Sequence, residues 1–462
     1  MTGPIGIIGT SVLRIVIQGL CFLSIVAHAQ SDPPPNIVVL FSDQHRMASF
    51  PGEPYTDVIA PNLERLAGQG ARFTNAISNY PVCSPFRAML LTGRSPYNNG
   101  VLDNRMPMND PGESVANVFQ GAGYHTGYIG KWHLQMPATN TLEPFGFDES
   151  IVWEGTNSHF KSTYWDNTKS EWHKNTEYNA FTMTEQAVDF IDRNHENPFM
   201  LYVSFNPPHS NFFDAPEKYR AQFQGRDLKR RPNALPEPIG QYERFSRGRW
   251  NDQTLAGYLA HIEALDHAVG DVLNRLDALK LSENTIVIYT SDHGEMMLSH
   301  GRTGKRTPYE ESIRIPFLLR WSGHVEAGSE PEAVFGNIDV APTLLGLAGI
   351  KSDYRFDGYD FSPMLLRGEN SPTDYQPIMH IQKLNATHGD DHPAERFRGI
   401  RTKRYTYALD EDGPWLLFDN EEDPYQLENR IDDEKYETVQ DSMHKLVKEW
   451  QIKYNDPFDV EK

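Results

Sequence analysis

Four runs of apolar, largely β-branched residues recur along the chain, and each ends in a knot of polar or ionisable side chains. Asn36-Ile-Val-Val-Leu-Phe-Ser42 runs into Asp43-Gln44-His45-Arg46, and Thr126-Gly-Tyr-Ile-Gly130 into Lys131-Trp132-His133. Phe199 to Phe205 runs into Asn206-Pro207-Pro208-His209, and Thr285 to Thr290 into Ser291-Asp292-His293-Gly294. Continuous apolar runs of this length suit strands buried on both faces. Helical patterns lie between them. Pro61 to Gln69 opens with a proline and spaces Leu63, Leu66 and Ala67 for one face. Leu255, Leu259, Ile262, Leu265, Val269, Val272, Leu273 and Leu276 recur at steps of three and four residues, which predicts a long amphipathic helix. Strands alternating with helices predict an α/β sandwich with a large, mostly parallel sheet. Ligands of such sheets bind beyond the carboxyl ends of the strands, so the four polar knots are expected to meet at one site.

The chain has 462 residues, more than one hydrophobic core usually serves, which predicts one large and one small part. Beyond about residue 370 the texture changes to short strands, Arg398–Thr402 and Tyr405–Tyr407, followed by a helix from Asp433 to Lys453. Residues 30–370 therefore read as the main domain and 371–462 as a small α+β unit. At the N-terminus, Arg14 precedes the apolar run Ile15 to Ala27 and the small-x-small pattern Ala27-His28-Ala29, which reads as a signal peptide over residues 1–29. The run is shorter than the ~20 residues that span a bilayer and contains Gln18, so no membrane anchor is expected after cleavage. The mature protein is expected to be secreted or periplasmic. The net charge of −20 argues against nucleic acid as a partner, because such a partner needs a basic footprint.

Two cysteines are present, and Cys21 leaves with the signal. A single remaining thiol, Cys83, is unusual in an oxidising compartment. Its readings are an inert buried residue or a site of chemistry, and its neighbours favour the second. In Cys83-Ser84-Pro85-Phe86-Arg87, Ser84 is a good N-cap and Pro85 suits the first helical turn, which would set Cys83 at a helix N-terminus that favours anions.

Cys83-x-Pro85-x-Arg87, with Leu90-Leu91-Thr92-Gly93-Arg94 behind it, resembles the signature of the formylglycine-dependent (type I) sulfatases of the alkaline phosphatase-like superfamily. The resemblance runs from Asn36 to about Tyr425. It implies that Cys83 is oxidised to formylglycine by a formylglycine-generating maturation enzyme, and that the aldehyde hydrate attacks the sulfur of a sulfate ester. It implies one Ca²⁺ held by Asp43, Gln44, Asp292 and His293 together with Cys83 in its matured form. Many members carry a second Asp where Gln44 stands and an Asn where His293 stands. Oxygen donors suit calcium, whereas the His293 nitrogen is an unusual ligand, and a contact to a sulfate oxygen is the other reading. Arg87, Lys131 and Lys305 map to the cationic set, His133 to the base that collapses the sulfated hydrate, and His209 or Lys305 to the proton donor for the departing alcohol. The physical need is plain: charge develops on the sulfate oxygens and on the leaving oxygen, so fixed cations and a proton source supply much of the catalysis.

Two rival functions stay open at this point, a phosphodiesterase or phosphonate monoester hydrolase on the same fold, and a silent glycan-binding protein. The expected substrate is a sulfated carbohydrate. Between Trp153 and Trp172 the chain is rich in aromatic rings, with His159, Phe160, Tyr164 and Trp165 inside the segment and His173 after it, which suits sugar stacking or ordinary loop packing equally. When the protein is co-produced with a formylglycine-generating enzyme, the tryptic peptide Phe73 to Arg87 is expected to carry an aldehyde, read by its mass and by hydrazide labelling. An active preparation with an unmodified Cys83 thiol would remove the proposed nucleophile.

Overall fold

The strand Asn36–Asp43 lies at the centre of a nine-stranded sheet and is buried along its whole length. Ile37, Val39 and Phe41 face one hydrophobic core while Val38 and Leu40 face another, which is why the run is apolar without alternation. The first core is completed by the helices Cys83–Thr92, Val115–Gly121 and Val340–Leu347, the second by Pro61–Gly68, Asn179–Asn194 and Asp252–Ala278. The result is an α/β/α sandwich, as the alternation of strands and helices predicts. This computed structural model describes residues 1–3, 33–108, 114–154, 157–239, 250–382 and 396–459. Pro34–Lys462 forms one compact unit. Apart from residues 1–3, the expected signal segment lies outside the described residues. No helix among the described residues is long and apolar enough to cross a membrane.

Across the sheet the order is Ala71–Arg72, Phe317–Arg320, Thr285–Ser291, Asn36–Asp43, Phe199–Pro208, His125–Lys131, Glu149–Glu154, Ser162–Asp166 and Glu171–Asn175. The five strands from Thr285–Ser291 to Glu149–Glu154 pair in parallel, and both flanks are antiparallel. All four runs singled out in the sequence are therefore neighbours, and their carboxyl ends lie together. Gly130 makes one of these junctions possible. Its φ is +114°, and a Cβ there would stand 2.0 Å from the Ser204 carbonyl oxygen, so only glycine lets the two strands close at this point.

The aromatic segment differs from the expectation of a loop. Glu149–Glu154, Ser162–Asp166 and Glu171–Asn175 are the last three strands on one side of the sheet, and Trp153, Tyr164 and His173 stand in one cross-strand row. Tyr164 stacks on Trp153 at 4.6 Å and on His173 at 4.9 Å between ring centroids. These strands are too charged to register as apolar runs, yet aromatic cross-strand pairs stabilise an edge.

The small C-terminal sheet is a four-stranded antiparallel meander of Tyr375–His380, Phe397–Thr402, Tyr405–Asp410 and Gly413–Asp419. One face packs Ile400, Tyr407 and Leu417 against Met443 and Val447 of the helix Glu437–Tyr454. The other packs Ile378, Phe397 and Phe418 against Ile77, Met296 and Ile313 of the larger sandwich. Arg398 fastens this arrangement from a fully buried position. Its guanidinium pairs with Asp456 at 3.0 Å, donates to the Tyr97 hydroxyl at 2.9 Å and to the His380 carbonyl at 3.0 Å. Removing one partner of a buried ion pair strands the other, at a cost of about 3–5 kcal/mol. Arg398→Ala is therefore expected to lower the denaturant midpoint sharply, and an unchanged midpoint would show that Asp456 finds water instead.

Candidate active site

Cys83 is the first residue of the helix Cys83–Thr92, which is buried throughout and closes on Gly93 at φ +60°. Ser84 is not the N-cap expected from the sequence. Val82 takes that position in an extended conformation without a side-chain cap, the Ser84 N–H donates to Asn104 Oδ1 at 3.0 Å, and the Ser84 hydroxyl donates to the His133 carbonyl at 2.5 Å. Capping by a residue twenty positions away leaves the Cys83 side chain aimed at the strand ends.

Two carboxylates stand there in full burial. Asp43 ends the central strand, and Asp292 directly follows its neighbour, held by its own N–H on the Ser42 carbonyl at 3.1 Å. Arg87 Nη2 donates to Asp43 Oδ2 at 3.1 Å and lies 3.4 Å from Asp292 Oδ2. Lys131 Nζ donates to Asp43 Oδ2 at 2.5 Å. Burial would raise the Asp43 carboxyl, but Lys131, His209, Arg87 and Lys305 together hold it well below the usual range. Asp292 goes the other way: burial and the Asp43 charge push it up to about 6. Arg87 is fixed in turn, because its Nη1 donates to the Ser204 hydroxyl and to the Lys131 carbonyl, both at 2.6 Å.

The oxygens turned away from Arg87 converge on Cys83. Cys83 Sγ lies 3.9 Å from Asp43 Oδ1 and 3.2 Å from His293 Nε2, and His293 Nε2 lies 3.4 Å from Asp292 Oδ1. His293 Nδ1 donates to the Gly294 carbonyl at 3.0 Å, which orients Nε2 toward the cluster. Burial and Asp43 would raise the Cys83 thiol, yet Lys305, Lys131 and His293 bring it down to about 6. One ligand atom from each of Asp43, Cys83, Asp292 and His293 lies within 4.8 Å of the others. Two buried carboxylates, one of them resisting ionisation, form a donor set that fits a divalent cation.

Six of the sequence candidates line a cleft of about 500 Å³ above this cluster: Gln44, Cys83, Lys131, His133, His209 and Lys305. Asp43, Arg87, Asp292 and His293 lie beneath it, each 0–1% exposed. Gln44, at φ +77°, receives Lys305 Nζ on its Oε1 at 2.8 Å, gives its side-chain amide to Glu295, and gives its backbone N–H to Asp292 Oδ1 at 2.9 Å. His209 Nδ1 donates to the Ser210 carbonyl at 2.9 Å, and its Nε2 faces Lys305 Nζ at 3.2 Å. Burial and the neighbouring Lys305 hold His209 well below its ordinary value, and burial with Lys131 and Arg87 does the same for His133. Of the aromatic segment, Trp153 reaches the cleft, whereas His159 is buried on Asp214 at 2.6 Å and Trp165 and Trp172 line no part of it. Ser204, Glu295 and Asn104 were not legible as site residues, because a serine, a glutamate and an asparagine carry no motif. Only their places at or near strand ends and beside the Cys83 signature hint at them.

An α/β/α sandwich with a parallel centre, whose strand ends gather paired carboxylates, cations and a helix-borne Cys83, is the scaffold of an alkaline phosphatase-like hydrolase. The family model described as Sulfatase matches residues 35–350, and that described as N-sulphoglucosamine sulphohydrolase, C-terminal, matches residues 299–453. The chain is 35% identical over 427 residues to the ulvan-active sulfatase of Formosa agariphila, covering 90% of this chain and 81% of that protein. It is 30% identical to the endo-4-O-sulfatase of Bacteroides thetaiotaomicron, covering 94% and 95%. A crystal structure from Bacteroides fragilis, described as a sulfatase, superposes with a TM-score of 0.82 at 30% identity over 94% of this chain and 98% of that one. The chain belongs to the sulfatase family and is a sulfuric ester hydrolase.

Ser204 offers a direct test of how Arg87 is held. Ser204→Ala leaves a buried guanidinium N–H short of an acceptor, which costs about 1–3 kcal/mol. An aryl sulfatase assay is expected to show kcat/KM reduced about tenfold with the far-ultraviolet dichroism unchanged. Wild-type kinetics in the variant would mean that the Lys131 carbonyl alone suffices.

Proposed function

We propose that this enzyme desulfates a sulfated carbohydrate, using Cys83 matured to formylglycine and one Ca²⁺ held by Asp43, Gln44, Asp292 and His293 beside residue 83. The observation that carries the reading is the position of Cys83. It heads a buried helix, faces two buried carboxylates and His293, and opens on a cleft bearing Lys131 and Lys305. The sulfatase relatives that act on ulvan and as an endo-4-O-sulfatase support a glycan substrate. The cleft volume falls in the range of small-ligand sites, about 300–1,000 Å³. Export to the periplasm or the medium, and maturation by a formylglycine-generating enzyme, belong to the same reading.

The matured residue supplies a hydrated aldehyde as nucleophile, and the cation supplies charge stabilisation and lowers the proton affinity of that nucleophile. The chain's own side chains do the rest. Lys305 opposes the charge of the sulfate oxygens from the cleft wall, and Lys131, paired with Asp43, adds a hydrogen-bond donor there. Arg87 takes no part in substrate contact; it neutralises Asp43 and Asp292 from below and fixes their free oxygens toward residue 83. His209 Nε2 accepts from Lys305 Nζ while its Nδ1 proton is committed to Ser210, so the proton available to the leaving alcohol oxygen sits on Lys305. His133, kept neutral, is placed to take a proton from the cleft floor when the sulfate departs.

One preparation, matured with a formylglycine-generating enzyme, decides the matter when assayed on an aryl sulfate, a sulfated disaccharide, a phosphate diester and a phosphonate monoester. Sulfate esters are expected to be turned over in preference, with activity abolished by chelation, restored by calcium and absent in Cys83→Ala. Calorimetric titration is expected to find one calcium per chain in the wild type and none in Asp43→Ala/Asp292→Ala. Faster hydrolysis of the phosphonate would overturn the sulfate reading, and stoichiometric calcium in the double variant would overturn the metal assignment.

A further inference from the structure

The cleft carries more positive charge than one sulfate group requires. Among the described residues, Lys131, Lys305, Arg105 and Arg306 line it, against a single carboxylate, Glu295. Lys131 is neutralised by Asp43, and Arg306 by Asp103 at 2.9 Å. Glu295 is taken up by Gln44 and by the backbone N–H groups of Met297 and Gly304. Two cations remain without an acidic partner among the described residues, Lys305 beside Cys83 and Arg105 at the rim. In a chain of net charge −20, this is a local excess and no reflection of a basic surface.

Arg105 is also held in place at its backbone while its guanidinium stays exposed. Its φ is +66°, a region that residues with a Cβ avoid unless their surroundings impose it. Four bonds impose it. Asp103 is pinned by Arg306 and accepts the Asn104 N–H at 2.7 Å, Asn104 Oδ1 receives the Ser84 N–H at 3.0 Å, and the Gln135 side-chain amide donates to the Arg105 carbonyl. The residue preceding Arg105 thus touches the peptide next to Cys83, so the guanidinium is tied by a short, braced link to the reacting residue.

We propose that Arg105 is a second anion-binding point of this cleft, receiving a carboxylate or a further sulfate on the sugar that adjoins the scissile ester. The substrate class is then a polyanionic glycan, and a neutral sugar bearing one sulfate is the poorer substrate. This rests on the sulfatase reading of the cleft. An exposed arginine with a rigid backbone is suited to the role, because its planar donor fork pairs with either oxyanion and little of the loop has to be ordered on binding.

Glycine adopts φ +66° freely, so R105G removes the charge while preserving the loop, and R105K restores charge without the fork. Wild type, R105G and R105K are compared on four probes: nitrophenyl sulfate, a sulfated disaccharide carrying a uronate carboxylate, the same disaccharide with that carboxyl reduced to an alcohol, and a disulfated disaccharide without carboxylate. The wild type is expected to favour an anionic disaccharide over the reduced one. That ratio of kcat/KM values is expected to collapse by about 10- to 100-fold in R105G and to be partly retained in R105K. Loss confined to the uronate probe identifies a carboxylate partner, and loss confined to the disulfated probe identifies a sulfate. A wild type without preference, or an R105G loss equal on reduced and anionic disaccharides, overturns the proposal. A wild type inactive on every sulfate ester, nitrophenyl sulfate included, overturns the underlying reading instead.

Discussion

Asp43 and Asp292 end up as close neighbours in a dry interior, and nearly everything around them exists to make that tolerable. Like charges in a medium of low dielectric repel strongly, and each also forfeits its hydration. The repulsion shows in opposite shifts, Asp43 held ionised and Asp292 pushed up to about 6. Arg87 spans both carboxylates and Lys131 takes the outer oxygen of one. Their inner oxygens are left facing Cys83 and His293, a donor set that fits a divalent cation.

This cluster cannot be assembled by any one segment. It needs the ends of four adjacent strands at the same height, and the parallel centre of the sheet provides that by construction. It needs Lys131 and Ser204 in contact across two strands, which the missing side chain of Gly130 allows. It needs a helix entering with Arg87 one turn below Cys83, so that the cation reaches under the strand ends while the thiol stays above them. The small C-terminal sheet supports the site from outside it, through packing and through His380, whose Nε2 lies 3.0 Å from Nη1 of the cleft-lining Arg306, and Arg398 on Asp456 and Tyr97 binds it to the body that carries the site.

The four apolar runs and the long helix were legible because burial on both faces, and a helical apolar stripe, each leave a periodicity that no other structure produces. The Cys83 signature carried the site for the same reason, several fixed residue types at fixed spacing. What escaped was decided across space. The strands Ser162–Asp166 and Glu171–Asn175 carry charged and aromatic residues in near-equal measure, and their pairing shows only in the cross-strand row from Trp153 to His173. Ser84 has the chemistry of a cap, yet Val82 holds that position, the helix starts two residues earlier than a Ser84 cap would set it, and Asn104 takes the Ser84 N–H. Ser204 and Glu295 matter through the partner each holds, and a partner is invisible until the chain is folded.

The division between the residues beneath the cleft and those lining it bears on where the reactive proton resides. Sequence alone admits His209 or Lys305 as the group that protonates the departing alcohol, with His209 the assigned donor. Their contact at 3.2 Å makes them one unit, and the Ser210 carbonyl, by taking the Nδ1 proton, fixes which ring nitrogen of His209 can accept. On the proposed mechanism the histidine, kept neutral by burial and the ammonium beside it, orients the lysine, while Gln44 Oε1 holds the same ammonium from the other side at 2.8 Å. A lysine so placed meets two demands with one group, since its charge opposes that of the sulfate before the bond breaks and its proton answers the charge that appears on oxygen as it breaks.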